Sequence, residues 1–286
     1  MSKGRGFYRI AFERLLRDRL AMVSLAVIVV YALVAILAGL NLIARDFNKL
    51  DPEQAYQKPG VNYLFGTDLF GRSVLQRVIH GAKISMSVGL ITSLIAVPIG
   101  VILGALAGYF GGVVDEVIVW IYSVLVSVPG LLLILCLTLL LGKGIVNVYI
   151  AIGITTWVGL CRLIRAEFMK HKQAEYVLAA RSLGAGHFRC ILHILPNVIH
   201  LAIISFTLRF GAAIRTEVIL SYLGVGVVNQ PSWGIMISDA RLELLRGCWW
   251  QLAAATAAML LISLAINIFG DSLRDALDPK LQGERM

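Results

Sequence analysis

The chain has 286 residues, 58% of them hydrophobic and only 15% charged, and it carries a net charge of +9 with a mean hydropathy of +0.82. Soluble globular domains carry roughly 25% charged residues, so water is not the solvent for most of this chain. Its basic residues form no stripe interleaved with aromatics, which argues against a nucleic-acid partner, and Cys136, Cys161, Cys190 and Cys248 form neither a CxxC pair nor a metal-ligand spacing with histidine.

The first apolar run, Leu20 to Ala44, is 25 residues long and follows 19 polar-rich residues. A cleaved signal has an apolar region of about 7 to 15 residues, so this run is expected to stay as a spanning helix. The loop that follows, Arg45 to Lys83, contains Gly66, Asp68, Gly71 and Arg72. These four are a candidate outer contact, or else a cap for the next span with Thr67 or Asp68 as N-cap.

A hydrocarbon core about 30 Å thick needs roughly 20 apolar residues in helix. Five further runs qualify: Ile84 to Phe110, Val117 to Leu141, Ile145 to Leu163, Val198 to Val225 and Trp249 to Phe269. Pro98 and Pro129 lie inside two of them and are expected to kink the helices. With the N-terminus inside, fifteen Lys and Arg fall on inner segments and nine on outer ones, while Arg209 and Arg215 lie within a span. Positively charged loops stay in the cytoplasm, so both termini are expected there, and Cys248 then stands alone on the outer side, where an intrachain disulfide has no partner.

The inner loop from Arg162 to Asn197 is the most informative stretch. Its segment Lys172 to Pro196 reads as two short helices broken near Gly184 to Gly186. Glu175, Leu178, Ala179 and Ser182 share one face of the first at helical spacing, and Ala179 with Ala180 offers a small-residue surface that another backbone can approach. Gly184 is placed to end that helix in the left-handed region, and Pro196 to open a new helix returning to the membrane. The same residues also fit an amphipathic loop on the inner leaflet, with Lys172, Arg181 and Arg189 toward anionic headgroups.

In the fifth span Arg209, Arg215 and Glu217 are too poorly spaced to pair with one another along the helix. Charges inside a span are functional or paired. Arg209 and Glu217 are therefore candidates for a translocation path, the alternative being that Arg215 and Glu217 reach outer headgroups. In the last segment Asp271, Arg274, Asp275 and Asp278 punctuate a helix leaving the membrane, with Arg274 and Asp278 as i,i+4 neighbours.

Catalytic and metal motifs are missing from the sequence. Gly142-Lys143 lacks the upstream glycine and following Ser or Thr of a phosphate-binding loop, and the five histidines belong to no zinc or nucleophile pattern. No enzyme activity, bound cofactor or metal site is expected of this chain itself.

Four segments carry a resemblance to a known family. Glu175-Tyr-Val-Leu-Ala179-Ala180-Arg181-Ser-Leu-Gly184, followed by Ile194-Leu195-Pro196, resembles the EAA loop of ABC importer permeases. The alanines stand four residues after Glu175 and the Gly184 to Pro196 interval is about one residue short, as in the peptide-importer branch. Phe65 to Leu75 resembles the GTDxxGRD stretch of C-type dipeptide and oligopeptide permease subunits, with Ser73 in place of the usual aspartate. Glu217 to Gly226 with Pro231 to Gly234, and Gly270 to Pro279, resemble the later EaxLSFLGLG, PSWG and GDxLRDxLDP runs of the same subunits.

That resemblance implies an all-α membrane protein of six transmembrane helices with both termini cytoplasmic, like an ABC type I importer permease. Residues 1–64 would hold the N-terminal segment, first span and outer loop. Residues 65–286 would form a five-helix core with an ATPase-coupling loop at 164–197. The implied coupling residues are Glu175, Ala179, Ala180, Arg181, Gly184 and Pro196. The implied function is import of di- or oligopeptides across the bacterial inner membrane, within a heterodimer with a B-type permease subunit, two ATPase subunits that bind ATP and Mg, and an extracytoplasmic binding protein. Nickel complexes, glutathione or another small solute are alternatives within the family. An ion-coupled secondary transporter is the alternative outside it, and should show inverted repeats and midplane carboxylates.

Overall fold

The computed structural model describes residues 7–277, and the side chains of residues 12–277. Among them the regular elements are all helices, with one isolated bridge between Thr67 and Ser73. The helices are α1 (Phe7–Arg17), α2 (Arg19–Gly39), α3 (Val74–Phe110), α4 (Gly112–Ser127), α5 (Gly130–Leu141), α6 (Ile145–Thr155), α7 (Val158–His171), α8 (Glu175–Ser182), α9 (His187–Tyr222), α10 (Trp233–Leu244) and α11 (Trp250–Leu277). Five stretches are long and apolar enough to cross a bilayer: α2, α3, α6 with α7, α9 and α11. The pair α4 and α5 makes a sixth, bent by 91° at its break.

The polar-rich start expected before the first span is itself a helix, α1. Asp18 separates it from α2 and caps the latter, its carboxylate accepting from Leu20 N at 2.9 Å. The other carboxylate oxygen accepts from Ser272 Oγ of α11 at 2.7 Å. Leu15 and Leu273 pack beside Ile204, Ala276 and Leu277. The N-terminal helix is thereby held against the inner end of α11 and the middle of α9.

Several expected boundaries move. α2 stops at Gly39, since Asn41 takes positive φ and Leu42 N folds back on Leu37 O; residues 40–44 join the outer loop. The second span begins ten residues early, at Val74, with Ser73 at its N-cap position, so neither Thr67 nor Asp68 caps it. Pro98 lies within continuous α3, whereas Pro129 divides its run into two helices. The fourth run is interrupted at Thr156 and Trp157 and continues to His171.

The inner loop contains one short helix where two were expected. α8 ends at Gly184, whose φ of +86° has open space around it. The next helix starts at His187 and runs unbroken through Pro196 into the membrane, so Pro196 does not open a new helix. A proline inside a helix frees the carbonyl four residues earlier; here both Leu192 and Pro196 are exposed, which leaves that carbonyl reachable by solvent or headgroups. Asp278, counted above as a partner of Arg274, lies outside the described residues.

The bundle is built around α3, whose 37 residues make it about 55 Å long. At its inner half, Gly100, Gly104 and Gly108 face the backbone of α7. A Cβ on them would stand 3.0, 2.6 and 2.5 Å from the carbonyl oxygens of Trp157, Cys161 and Arg165. Both sets repeat every four residues, so the two helices touch along a rail of backbone, as small residues permit in membranes.

Candidate functional site

The inner face is organised by Tyr109 at the end of α3, only 1% exposed. Its hydroxyl accepts from Arg181 Nη2 of α8 at 3.1 Å and lies 3.1 Å from His187 Nδ1 at the start of α9. Its ring lies under the Arg181 guanidinium and the Lys172 ammonium, at 5.5 and 5.8 Å from the centroid. Val177 of α8 is fully buried among Tyr109, Phe168, Cys190 and Ile194; burying a valine stabilises by about 1.5–3 kcal/mol. These contacts hold α8 by one side.

The other side of α8 is free. Glu175, Leu178, Ala179, Arg181 and Gly184 are exposed and Ala180 is half-buried. Leu183 and Phe188 beside them are 89% and 74% exposed. The result is a small-residue and apolar knob rimmed by charge, pointing away from the spans. The coupling residues expected from the sequence are thus brought together, except Pro196, which lies further along α9. Arg165 of α7 steadies the same face by a bidentate ion pair with Asp115 of α4, at 2.5 and 2.6 Å.

The two path candidates of the fifth span are separated. Eight residues of helix place Arg209 and Glu217 about 12 Å apart along the axis and about 80° apart around it. Glu217 is fully buried, accepting from Ser221 Oγ at 2.7 Å, and faces no open path in this structure. Arg209 borders a cavity of about 160 Å³ with Thr92, Ile152, Thr156, Ala212, Ala213 and Thr216.

The outer candidates turn inward. Gly66, Asp68 and Gly71 are buried, so they are not themselves a contact surface. Asp68 Oδ1 accepts from the N–H groups of Phe70 and Arg72, while Oδ2 accepts from Arg72 Nε at 2.7 Å and Arg77 Nη1 at 2.6 Å. Gly71 has φ +71°, and a Cβ there would meet Asp51 O at 1.7 Å. Trp250 Nε1 of α11 donates to Thr67 O, and Glu243 of α10 accepts from Leu69 N. Burial raises the Glu243 carboxyl above its ordinary pKa, against the opposing Leu69 hydrogen bond. This motif locks the outer loop onto α3, α10 and α11.

Residues 100–283 match the family described as binding-protein-dependent transport system inner membrane component. The chain belongs to that family. Residues 6–59 match the N-terminal transmembrane domain of oligopeptide transport permease C. The chain is 38% identical over 274 residues to the dipeptide transport system permease protein DppC of Bacillus subtilis, covering 95% of this chain and 85% of the relative. It is 37% identical over 282 residues to the oligopeptide transport system permease protein OppC of the same organism, covering 98% and 92%. It is 36% identical over 274 residues to the glutathione transport system permease protein GsiD of Escherichia coli, covering 95% and 90%.

Family membership identifies the chain as a multi-pass inner-membrane transport component of the ABC type I permease fold, and not an enzyme. Such a component works within a binding-protein-dependent system of several parts. The sequence reading passed over Tyr109, the glycine rail and the Asp115–Arg165 pair. The rail alone carried a local signal, glycines at every fourth position of an apolar run.

Proposed function

We propose that this chain is the C-type permease subunit of an ATP-driven importer of di- or oligopeptides. It pairs with a related B-type permease, two ATPase subunits that bind ATP and Mg dock on the inner loops of the pair, one of them on α8, and an extracytoplasmic binding protein delivers the peptide. The observation that carries this reading is the knob of α8: Ala179, Leu178 and Leu183 are exposed while Val177 and Arg181 fasten the helix to the ends of α3 and α9. An isolated chain gains nothing by leaving such an apolar surface in the cytoplasm. A docked ATPase would cover it and, by moving it, tilt two spans at once.

The names of the relatives support a peptide substrate. The glutathione permease at 36% identity supports a second reading, in which the solute is that modified tripeptide. Arg209 belongs to the path in either case, whereas the enclosed Glu217 holds the outer part of the α9 helix.

Co-purification from membranes tests the docking. Glu175→Arg reverses an exposed charge at the start of α8 without touching the buried side, so it is expected to release the ATPase subunits while the two permeases stay together. Retention of the ATPases at the wild-type ratio, in this variant and in Gly184→Trp, removes α8 as the docking element.

A further inference from the structure

Arg209 lies 13 residues before the outer end of α9, about 20 Å into the membrane. Its Nε is buried without a hydrogen-bond partner, and among the described residues no carboxylate pairs with its guanidinium. An arginine so placed is expensive unless something anionic or watery meets it. The space beside it is the 160 Å³ cavity between α3, α6 and α9. It opens along the exposed Ala212 and half-buried Thr216 of α9.

Two features of the surroundings point to a passing solute. The hydroxyls of Thr92, Thr156 and Thr216 donate to the carbonyls of Val88, Ile152 and Ala212, four residues back on their own helices. Their oxygens therefore present lone pairs to whatever enters. Thr156 also lines a second cavity, of about 230 Å³, together with Val128, Pro129 and Gly130 at the α4–α5 break. Two interruptions, at Ser127–Gly130 and at Thr156–Trp157, thus meet beside Arg209; Thr156 is about 17 Å from the outer end of α6, the same depth. Non-helical backbone at membrane depth is tolerated where it lines a water-filled route.

We propose that the Arg209 cavity is a transit site for the C-terminal end of the transported peptide, with the guanidinium holding the free carboxylate and the threonine oxygens accepting backbone N–H groups. A side-chain carboxylate from the partner permease would satisfy Arg209 but bring no donor for the threonines, whereas a peptide terminus brings both. This rests on the peptide-importer reading above.

The test uses the complete transporter in proteoliposomes with saturating binding protein, and trialanine and its C-terminal amide as probes. Binding of each probe to the isolated binding protein is measured separately, so that the rates report the membrane step. The wild type is expected to move the free acid about tenfold or more faster than the amide, the span of a hydrogen-bonded charge. Arg209→Gln is expected to abolish that preference, and Arg209→Lys to keep part of it. A wild type that moves neither probe overturns the peptide reading and this site with it. Equal wild-type rates, or a preference that survives in Arg209→Gln, overturn the site alone. So does dissociation of the two permeases in Arg209→Gln, which would assign the guanidinium to a carboxylate of the partner.

Discussion

Two buried side chains carry much of the molecule's order at its two ends, and each makes a separable prediction. Asp68 and Arg77 are 1% and 2% exposed, so removing Asp68 leaves Arg77 enclosed with only the longer ion pair to Asp239 at 3.5 Å, and removing Arg77 leaves Asp68 paired with Arg72 alone. Breaking a buried pair costs about 3–5 kcal/mol. Asp68→Ala is therefore expected to lower the unfolding temperature in detergent sharply, and Asp68→Ala with Arg77→Met to lower it by much less than the sum, as a double-mutant cycle would show. Additive losses would mean that the two do not act as a pair. At the inner end, Tyr109→Phe keeps the ring under Arg181 and Lys172 but removes the oxygen that accepts from Arg181. The expected outcome is retained ATPases with fewer molecules transported per ATP hydrolysed, and an unchanged ratio argues against Tyr109 as the link. Neither role was legible in the sequence. Asp68 stood in a recognisable motif, but a carboxylate in a loop reads as solvated until Arg77, Asp239 and Gln251 are seen to converge on the same place. Tyr109 looked like one more apolar residue at the end of a span.

At the scale of elements, apolar composition located every span, because lipid demands about 20 apolar residues wherever a helix crosses. It did not give their ends, because helices here run past the bilayer into polar caps: α3 begins at Val74 beneath the outer loop, and α9 at His187 among exposed residues. Nor did it give the sharp α4–α5 elbow, since a proline permits either a kink or a break and the packing around it decides. The rail between α3 and α7 shows how tightly two spans can be set. At Gly104 a Cβ would stand 2.6 Å from Cys161 O, a backbone atom that cannot swing aside. Gly104→Val is expected to destabilise by about 1–3 kcal/mol or more, and to reduce the yield of folded protein in size-exclusion profiles. Gly130→Ala, with nothing within 4 Å of the new methyl, is the control and should leave the profile unchanged. A Gly104→Val protein as stable as the control would mean that α3 and α7 lie further apart than described.

At the scale of the whole molecule, topology joins the outer cap, the Arg209 cavity and the coupling helix into one axis. It was legible in outline from charge, fifteen basic residues against nine, because Lys and Arg resist translocation. The fold adds independent support: α1 packs on the inner end of α11, α8 is fastened to Tyr109 at the inner end of α3, and the Asp68 cap with α10 gathers at the outer end of α3. The bent α4–α5 pair crosses as well: Gly100, Gly104 and Gly108 of α3 meet Trp157, Cys161 and Arg165 in the same order, so α7 runs parallel to α3 and the chain must return to the outer side between them. Six spans then put α1 and α8 on the same side, opposite the outer cap. Two exposed positions read which side faces the cytoplasm, in a background lacking the four native cysteines. Val61 in the outer loop is 98% exposed and Leu183 beside α8 is 89% exposed, so a cysteine at either should react readily without disturbing packing. With an impermeant maleimide on intact cells, Val61→Cys is expected to label and Leu183→Cys to stay protected until the membrane is opened. Labelling of Leu183→Cys from outside would mean that the bundle has the reverse orientation, and that α8 cannot meet a cytoplasmic ATPase.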